Sequence, residues 1–158
     1  MMKVYLAGYI NSSVMEQCVG WRKKIRQHYE SWPGGKYPVD FLDPINGEDF
    51  TCIKNEGLYG VMPPHAIVHK DYTAIEKSDL IVANMNTFGQ TRSPAGTICE
   101  LAWAWQMHKA IVLITDENSY INHPFINYFA SWIVSSVEDL LEKKIINQFY
   151  KAWNPAQY

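Results

Sequence analysis

The sequence predicts an α/β fold: a flavodoxin-like three-layer sandwich around a five-stranded parallel sheet with strand order 2-1-3-4-5. Short apolar runs, of which 78–84 and 110–115 are the clearest, alternate with longer stretches in which apolar residues recur at helical spacing. Strands of a parallel sheet are buried on both faces and are therefore continuously apolar. Because crossovers between parallel strands are right-handed, five such strands favour this order.

The first strand, helix and second strand are predicted from the N-terminal residues. An apolar run at 3–8 ends in a polar turn, and apolar spacing from 14 to 31 indicates a helix. Ser12 or Ser13 is available as the N-cap of that helix. Residues 37–43 are predicted to form the second strand.

No hydrophobic period is visible in residues 45–64, where glycines and prolines interrupt a polar stretch. About twenty residues without regular structure is long for a connection inside a compact domain. The segment is interpreted either as a lid or binding loop, or as an insertion with no chemical task. The sequence pattern favours neither interpretation.

The second half of the chain continues the alternation. The predicted elements are a helix at 66–77, strands at 78–84 and 110–115, a polar loop at 116–122, a short helical or irregular piece at 123–130, a strand at 132–134 and a closing helix from Ser136 to Phe149.

The segment 92–105 combines a Ser/Pro/Gly turn with a helix that carries an acidic residue. One apolar stripe is predicted for this helix, formed by Ile98, Leu101, Ala102 and Trp105. Glu100 is expected in the first turn, where the helix dipole favours an ionised carboxylate. That environment suits a nucleophile. A lone acidic residue in a first turn is explained more simply by the dipole, so its role depends on the other motifs.

Composition predicts a single domain over residues 1–158, with no nucleic-acid partner. The net charge is −2 and the pI is about 6.2, whereas domains that bind nucleic acid are typically basic. Three cysteines without CxxC spacing indicate neither a disulfide framework nor a zinc site. No signal peptide or membrane-length apolar run is visible, so we expect a cytoplasmic protein.

The predicted topology brings the loops after strands one and three together at the switch point of the sheet, where open α/β sheets bind ligands. Tyr5, the loop 8–13 and the segment 84–100 should therefore converge. The first loop is neither GxGxxG nor a P-loop, and we expect no cofactor.

Three motifs in this order resemble the nucleoside 2-deoxyribosyltransferase family, which also includes N-glycosidases acting on nucleoside 5'-monophosphates. They are Val4-Tyr5-Leu6-Ala7-Gly8, then His69-Lys70-Asp71 followed by Ile75 and Ser78-Asp79, and then Gly96-Thr97-Ile98-Cys99-Glu100-Leu101-Ala102-Trp103-Ala104. The resemblance spans most of the chain apart from residues 45–64.

The resemblance implies that Glu100 is the catalytic nucleophile, that Asp71 is an acid facing the nucleobase, and that the Tyr5 hydroxyl orients Glu100. Glycoside chemistry requires such a pair of carboxyls, one to attack C1' and one to protonate the leaving group. A covalent deoxyribosyl-Glu100 ester would then be resolved by a free base or by water. The implied substrate-binding residues are Gly8, Tyr9, Ile10, Asn11, Ser93, Pro94 and Gly96.

Transfer and hydrolysis both stay open, because the chain departs from each branch of the family. Pro94 stands where the transferases usually have a second Asp. The monophosphate hydrolases use an arginine in the first loop, which this chain lacks; Arg22 is the nearest cation. For Arg92, a solvated loop position is the simpler interpretation.

The resemblance also implies a homo-oligomer with active sites shared between subunits. Asn127 is the candidate for a residue that reaches a neighbouring subunit's sugar site. Six tryptophans and ten tyrosines in a small domain fit such an interface, although they could equally pack the core or stack on a base.

Two hypotheses from other classes stay open. Pro94 raises the possibility of a nucleotide-binding module without turnover. His65 and His69, four residues apart, together with Asp71 could instead form a metal-dependent hydrolase site. Surface histidines explain that pair more simply, so we expect no metal.

Overall fold

The computed structural model describes residues 1–30, 38–45 and 62–153. The strands are β1 Met2–Gly8, β2 Val39–Leu42, β3 Leu80–Asn84, β4 Ala110–Ile114 and β5 Trp132–Val134. The helices are α1 Met15–Glu30, α2 Pro64–Lys77, α3 Ala95–Gln106, α4 Asn118–Ile121, α5 Pro124–Phe129, α6 Val137–Glu142 and α7 Ile145–Trp153. A 3₁₀ turn at Ser12–Val14 precedes α1.

The sheet confirms the predicted fold class and topology. Its order is β2-β1-β3-β4-β5, and every neighbouring pair is parallel. Gly8 at the end of β1 is paired with Asn84 at the end of β3, which in turn is paired with Ile114 of β4. Because three strands end at one level, the loops after β1 and β3 leave the same edge.

Alternate residues of the strands face two separate layers of helices. Val4 and Leu6 pack in a core that includes residues of α1, α6 and α7. Tyr5 and Ala7 point the other way, into a core with residues of α2, α3 and α5. Since successive side chains of a strand alternate between faces, this register aims the Tyr5 side chain at α3.

The start of α3 differs from the prediction. The helix begins at Ala95, where the Pro94 carbonyl accepts the first helical hydrogen bond from the amide of Ile98. Glu100 therefore lies in the second turn and not in the first. The predicted apolar stripe is also partly wrong, because Trp105 is 46% exposed while Thr97, Leu101 and Ala104 are buried.

Two helix ends also differ from the prediction. Asn11, and neither Ser12 nor Ser13, caps the first helical segment, with its Oδ1 accepting from the Ser13 amide at 2.9 Å. The closing helix is interrupted by Lys144, whose positive φ of 52° separates α6 from α7. The predicted cap at Ser136 is confirmed by a 3.0 Å bond from the Asp139 amide.

Most of the predicted lid or insertion at 45–64 lies outside the described residues. Ile45 and Met62 border it and are described. The single domain over 1–158 stays a prediction. In the described part of the chain, no helix combines the length and apolar character that spanning a membrane requires.

Candidate active site

A buried hydrogen bond between Tyr5 and Glu100 forms the centre of the candidate site. The Tyr5 hydroxyl donates to Glu100 Oε1 at 2.6 Å. Tyr5 is fully buried and Glu100 is only 8% exposed. Residues far apart in sequence meet here because the parallel sheet brings α3 across the face of β1 to which Tyr5 points.

A cavity of about 480 Å³ opens beside this pair at the carboxyl edge of the sheet. Its size is within the usual range for small-molecule sites. Of the residues that the sequence predicted, those lining it are Gly8, Tyr9, Ile10, Asp71, Ser93, Pro94, Gly96 and Glu100. The lining residues that were not assigned to the site are Pro44, Ile45, Met62, Ile67, Lys70, Arg92, Ala95 and Thr97.

Three predicted site residues do not line the cavity. Tyr5 lies behind Glu100, in the core. Asn11 supports the wall indirectly, because its Nδ2 donates to the Tyr9 hydroxyl at 3.0 Å. Asn127 is exposed on α5, where its Nδ2 donates to the Ile121 carbonyl at 2.8 Å.

The environment of Glu100 favours its protonated form. Burial, followed in strength by the Tyr5 hydrogen bond, the charge of Asp71 and the charge of Arg22, sets the pKa of Glu100 at about 8. Burial and Asp71 raise this pKa, whereas Tyr5 and Arg22 lower it. The sequence predicted that the helix dipole favours the ionised form of Glu100. This prediction is wrong, because desolvation by burial dominates.

Tyr5 stays a hydrogen-bond donor at every ordinary pH. Burial, together with the nearby carboxyls of Glu100 and Asp71, raises the pKa of the Tyr5 phenol well above its usual value. A protonated phenol can donate to either form of Glu100. Its bond to Oε1 leaves Oε2 free of this contact, which is the arrangement an oriented nucleophile requires.

Arg92 joins the loop before α3 to the loop after β1. Its Nη2 donates to the Ile10 carbonyl at 2.7 Å, its Nε donates to the Tyr9 hydroxyl at 3.3 Å, and its guanidinium carbon lies 5.0 Å from the centre of the Tyr9 ring. The side chain is exposed, as the sequence indicated, but it is held against the first loop and lines the cavity. The sequence predicted that these two loops converge, and this prediction could have identified Arg92 as a residue of the site.

Arg22, the cation nearest the first loop in sequence, is fully buried and not accessible to a ligand. His65 and His69 are both exposed on α2. Within residues 1–30, 38–45 and 62–153, no three His, Cys, Asp or Glu residues are grouped so that they could hold a metal ion. Cys18 is buried and Cys99 exposed, both as free thiols; Cys52 lies outside the described residues.

Comparison with known proteins gives matches at the level of structure only. No protein-family model and no curated protein matches the sequence. A CMP N-glycosidase, BcmB, of Clostridium botulinum is 21% identical, with a TM-score of 0.58 over 91% of this chain and 98% of that one. A 2-desoxiribosyltransferase of Leishmania mexicana is 17% identical, with a TM-score of 0.55 over 87% of this chain and 77% of that one. The chain shares its fold with these two enzymes.

A third solved structure, a conserved protein of Enterococcus faecalis V583, is 22% identical and has a TM-score of 0.63 over 90% of this chain and 96% of that one. At these identities the likeness is one of fold. It confirms the fold that the resemblance implied.

Glu100→Gln is expected to remove a pH dependence of stability. The pKa of Glu100 is raised from 4.5, its value in the unfolded chain, to about 8 in the folded protein. The stability that this shift contributes is therefore fully present below the unfolded-state pKa and is lost as the pH rises through the folded-state pKa. This group should lower the free energy of unfolding by up to about 5 kcal/mol across that window. Gln carries no charge and can still accept the Tyr5 bond.

Urea unfolding of both proteins between about pH 5 and pH 8 measures the difference. Glu76→Gln, at an exposed glutamate of α2, is the matched control and should follow the wild type. Parallel stability curves for the wild type and Glu100→Gln would contradict the burial of this acid.

Proposed function

We propose that the protein is an enzyme that cleaves or transfers the N-glycosidic bond of 2'-deoxyribonucleosides. Glu100 is the nucleophile, Asp71 protonates the leaving base, and Tyr5 orients Glu100. The observation that carries the proposal is the buried Tyr5–Glu100 hydrogen bond at the wall of a cavity that Asp71 also lines. The fold shared with a CMP N-glycosidase and a 2-desoxiribosyltransferase supports it.

In the first step, a Glu100 carboxylate oxygen bonds to C1' while the bond from C1' to the base nitrogen breaks. The electron pair of the breaking bond goes to the base, which receives a proton from Asp71. The transition state has oxocarbenium character, and a neighbouring carboxylate stabilises its positive charge. Tyr5 holds one carboxylate oxygen, so that the other is directed at the sugar.

The protonation of the two acids decides when the site is active. Two neighbouring carboxyls disfavour simultaneous ionisation, and the pair therefore retains one proton over a range of pH. The active form has Glu100 ionised and Asp71 protonated. The charge of Asp71 contributes to the pKa of about 8 at Glu100, so the pair loses its last proton above that pH, and the active form is lost with it.

The glycosyl ester on Glu100 is resolved in a second step. A second free base attacks C1' and gives transfer, or water attacks and gives hydrolysis, with the ionised Asp71 accepting the proton. Glu100 leaves as a carboxylate in both cases. The same three side chains serve either outcome.

Arg92 favours a second candidate function, that of a nucleoside 5'-monophosphate N-glycosidase. Its exposed guanidinium lies on the cavity wall beside Ser93, at the N-terminal end of α3. A guanidinium, a hydroxyl and the free amides of a helix N-terminus form a suitable environment for a phosphate. This chain would thus supply its cation from the loop before α3 and not from the loop after β1.

A homo-oligomer with shared sites belongs to the same proposal. Exposed aromatic side chains form a surface on α3 and α5 that consists of Trp105, Phe125 and Tyr128, with the ring centres of Trp105 and Tyr128 6.0 Å apart. Large exposed aromatic surfaces are typical of interfaces. Asn127 lies on α5 beside Tyr128 of this surface and is the residue proposed to reach a neighbouring subunit's cavity.

The proposed reaction is tested with each 2'-deoxynucleoside and its 5'-monophosphate, with and without a second free base. We expect release of the base, and a kcat/KM that falls as the pH rises above about 8, where the pair of carboxyls loses the proton that the leaving base needs. Glu100→Gln should lower kcat by more than about 1,000-fold, and Asp71→Asn by about 100-fold or more. Glu76→Gln is the control. Nucleotide binding without release of base from any substrate would contradict the proposal and favour a binding module.

Arg92→Gln distinguishes the two candidate substrates. If Arg92 binds a 5'-phosphate, the ratio of kcat/KM for the monophosphate to kcat/KM for the nucleoside should fall about 10- to 100-fold, the effect of one charge-assisted hydrogen bond. Lys23→Gln, an exposed cation of α1 outside the cavity lining, should leave the ratio unchanged. Equal losses on both substrates would instead indicate that Arg92 only supports the first loop.

Light scattering tests the assembly. We expect a mass that is a multiple of 18.2 kDa, and dissociation by Tyr128→Arg, since this side chain is 73% exposed on the aromatic surface. Gln148→Arg on α7 is the control. Mixing Glu100→Gln subunits with Asn127→Ala subunits should restore activity if sites are shared. A monomeric wild type would exclude the shared site.

A further inference from the structure

Arg22 of α1 is fully buried directly behind the end of β1. We infer that Arg22 is a positioning residue for the proposed reaction: it fixes the cavity wall formed by Gly8 and supplies a buried positive charge behind Glu100. The inference rests on the proposed function. It assigns a role to a cation that cannot itself touch the substrate.

The guanidinium of Arg22 is held by three backbone carbonyls. Its Nε donates to Leu6 at 3.2 Å, its Nη2 to Gly8 at 2.9 Å and its Nη1 to Cys18 at 2.6 Å. Two of these carbonyls belong to β1 and the third to α1. A planar guanidinium offers several donors in a fixed geometry, which a lysine ammonium cannot reproduce.

Arg22 also reaches the segment after β2. Asp43 Oδ1 lies 3.5 Å from its Nε, and the carboxyl side chain is only 2% exposed. The same Oδ1 accepts from the amide of Ile45 at 3.0 Å, and Ile45 lines the cavity. Buried charges require such pairing, so one ion pair links the walls formed by Gly8 and Ile45.

Gly8 lines the cavity and also accepts the bond from Arg22 Nη2, so its backbone connects the guanidinium to the cavity wall. A Cβ built at Gly8 would lie 2.8 Å from Trp21 Cζ2, 3.1 Å from the Asn84 carbonyl oxygen and 3.3 Å from Arg22 Nη2. Trp21 in turn stacks on the guanidinium, whose carbon lies 4.5 Å from the ring centre. Glycine is therefore required here by close packing against Trp21, the Asn84 carbonyl and Arg22.

The charged and titratable groups that act on Glu100 come from three elements. Tyr5 of β1 donates a hydrogen bond, Asp71 of α2 contributes a negative charge, and Arg22 of α1 contributes a positive charge. Lys70 and Arg92 line the same cavity. Arg22 lowers the pKa of Glu100 against the effects of burial and of Asp71. Its charge therefore favours the ionised nucleophile.

Arg22→Met and Arg26→Met form a matched pair for the test. Both arginines pair with Asp43, with Arg26 Nη1 3.2 Å from Asp43 Oδ2. Only Arg22 bonds to Gly8 and acts on Glu100. The titration of Glu100 is followed by carboxyl-carbon NMR of protein labelled in its glutamate side chains, with the resonance assigned by its loss in Glu100→Gln.

We expect the Glu100 midpoint to rise by about one pH unit in Arg22→Met and to stay at the wild-type value in Arg26→Met. The alkaline limb of kcat/KM should move by the same amount. An unchanged midpoint in Arg22→Met, or an equal shift in both variants, would overturn the inference. The NMR readout needs no turnover, so an inactive wild type would refute the proposed function without deciding the role of Arg22.

Arg22→Lys is a second variant, which tests the inference if Arg22→Met does not fold. It keeps the charge but loses the planar set of donors. We expect its Glu100 midpoint to stay near the wild-type value while KM rises about 10-fold or more, because the wall at Gly8 is released. A wild-type KM in this variant would overturn the positioning role.

Discussion

The hydrogen bond between Tyr5 and Glu100 is the interaction on which the rest of this site depends. It joins the middle of β1 to the second turn of α3, with Tyr5 fully buried in the core and Glu100 8% exposed at the cavity. A contact of 2.6 Å between two such distant segments requires a correct register of β1 and a fixed distance between α3 and the sheet. The parallel topology provides both, since β1 and β3 end at one level and the chain returns through α3 on the face to which Tyr5 points.

Burying a carboxyl in this way lowers the stability of the fold. The groups around Glu100 indicate what the burial achieves. Burial and Asp71 favour the protonated form, whereas Tyr5 and Arg22 favour the ionised form. The resulting pKa of Glu100, about 8, is within reach of physiological pH, which suits a group that must change protonation or charge during a reaction. A stable core and the proposed nucleophile therefore make opposing demands on the same position.

The two arginines near the first loop differ in burial and therefore in the groups that they contact. Arg22 is inside, where its donors are occupied by backbone carbonyls and by Asp43. Arg92 is outside, where it holds Ile10 and Tyr9 and faces the cavity. The sequence contained a sign of the first arrangement, because Arg22 falls on the buried face of α1 with Cys18 and Ile25. A charged residue on an apolar stripe indicates a buried, paired charge.

The sequence by itself determined the strands, their order and the meeting of the loops after β1 and β3, because these follow from local apolar periodicity and from the handedness of crossovers. It also identified Asp71 and Glu100, through motifs, as residues that line one cavity. The tertiary structure alone decided the start of α3 at Ala95, the raised pKa of Glu100 and the separate tasks of the two arginines. The pKa of Glu100 and the contacts of the two arginines depend on which distant groups surround each side chain and how far they exclude water, and local sequence patterns do not determine that.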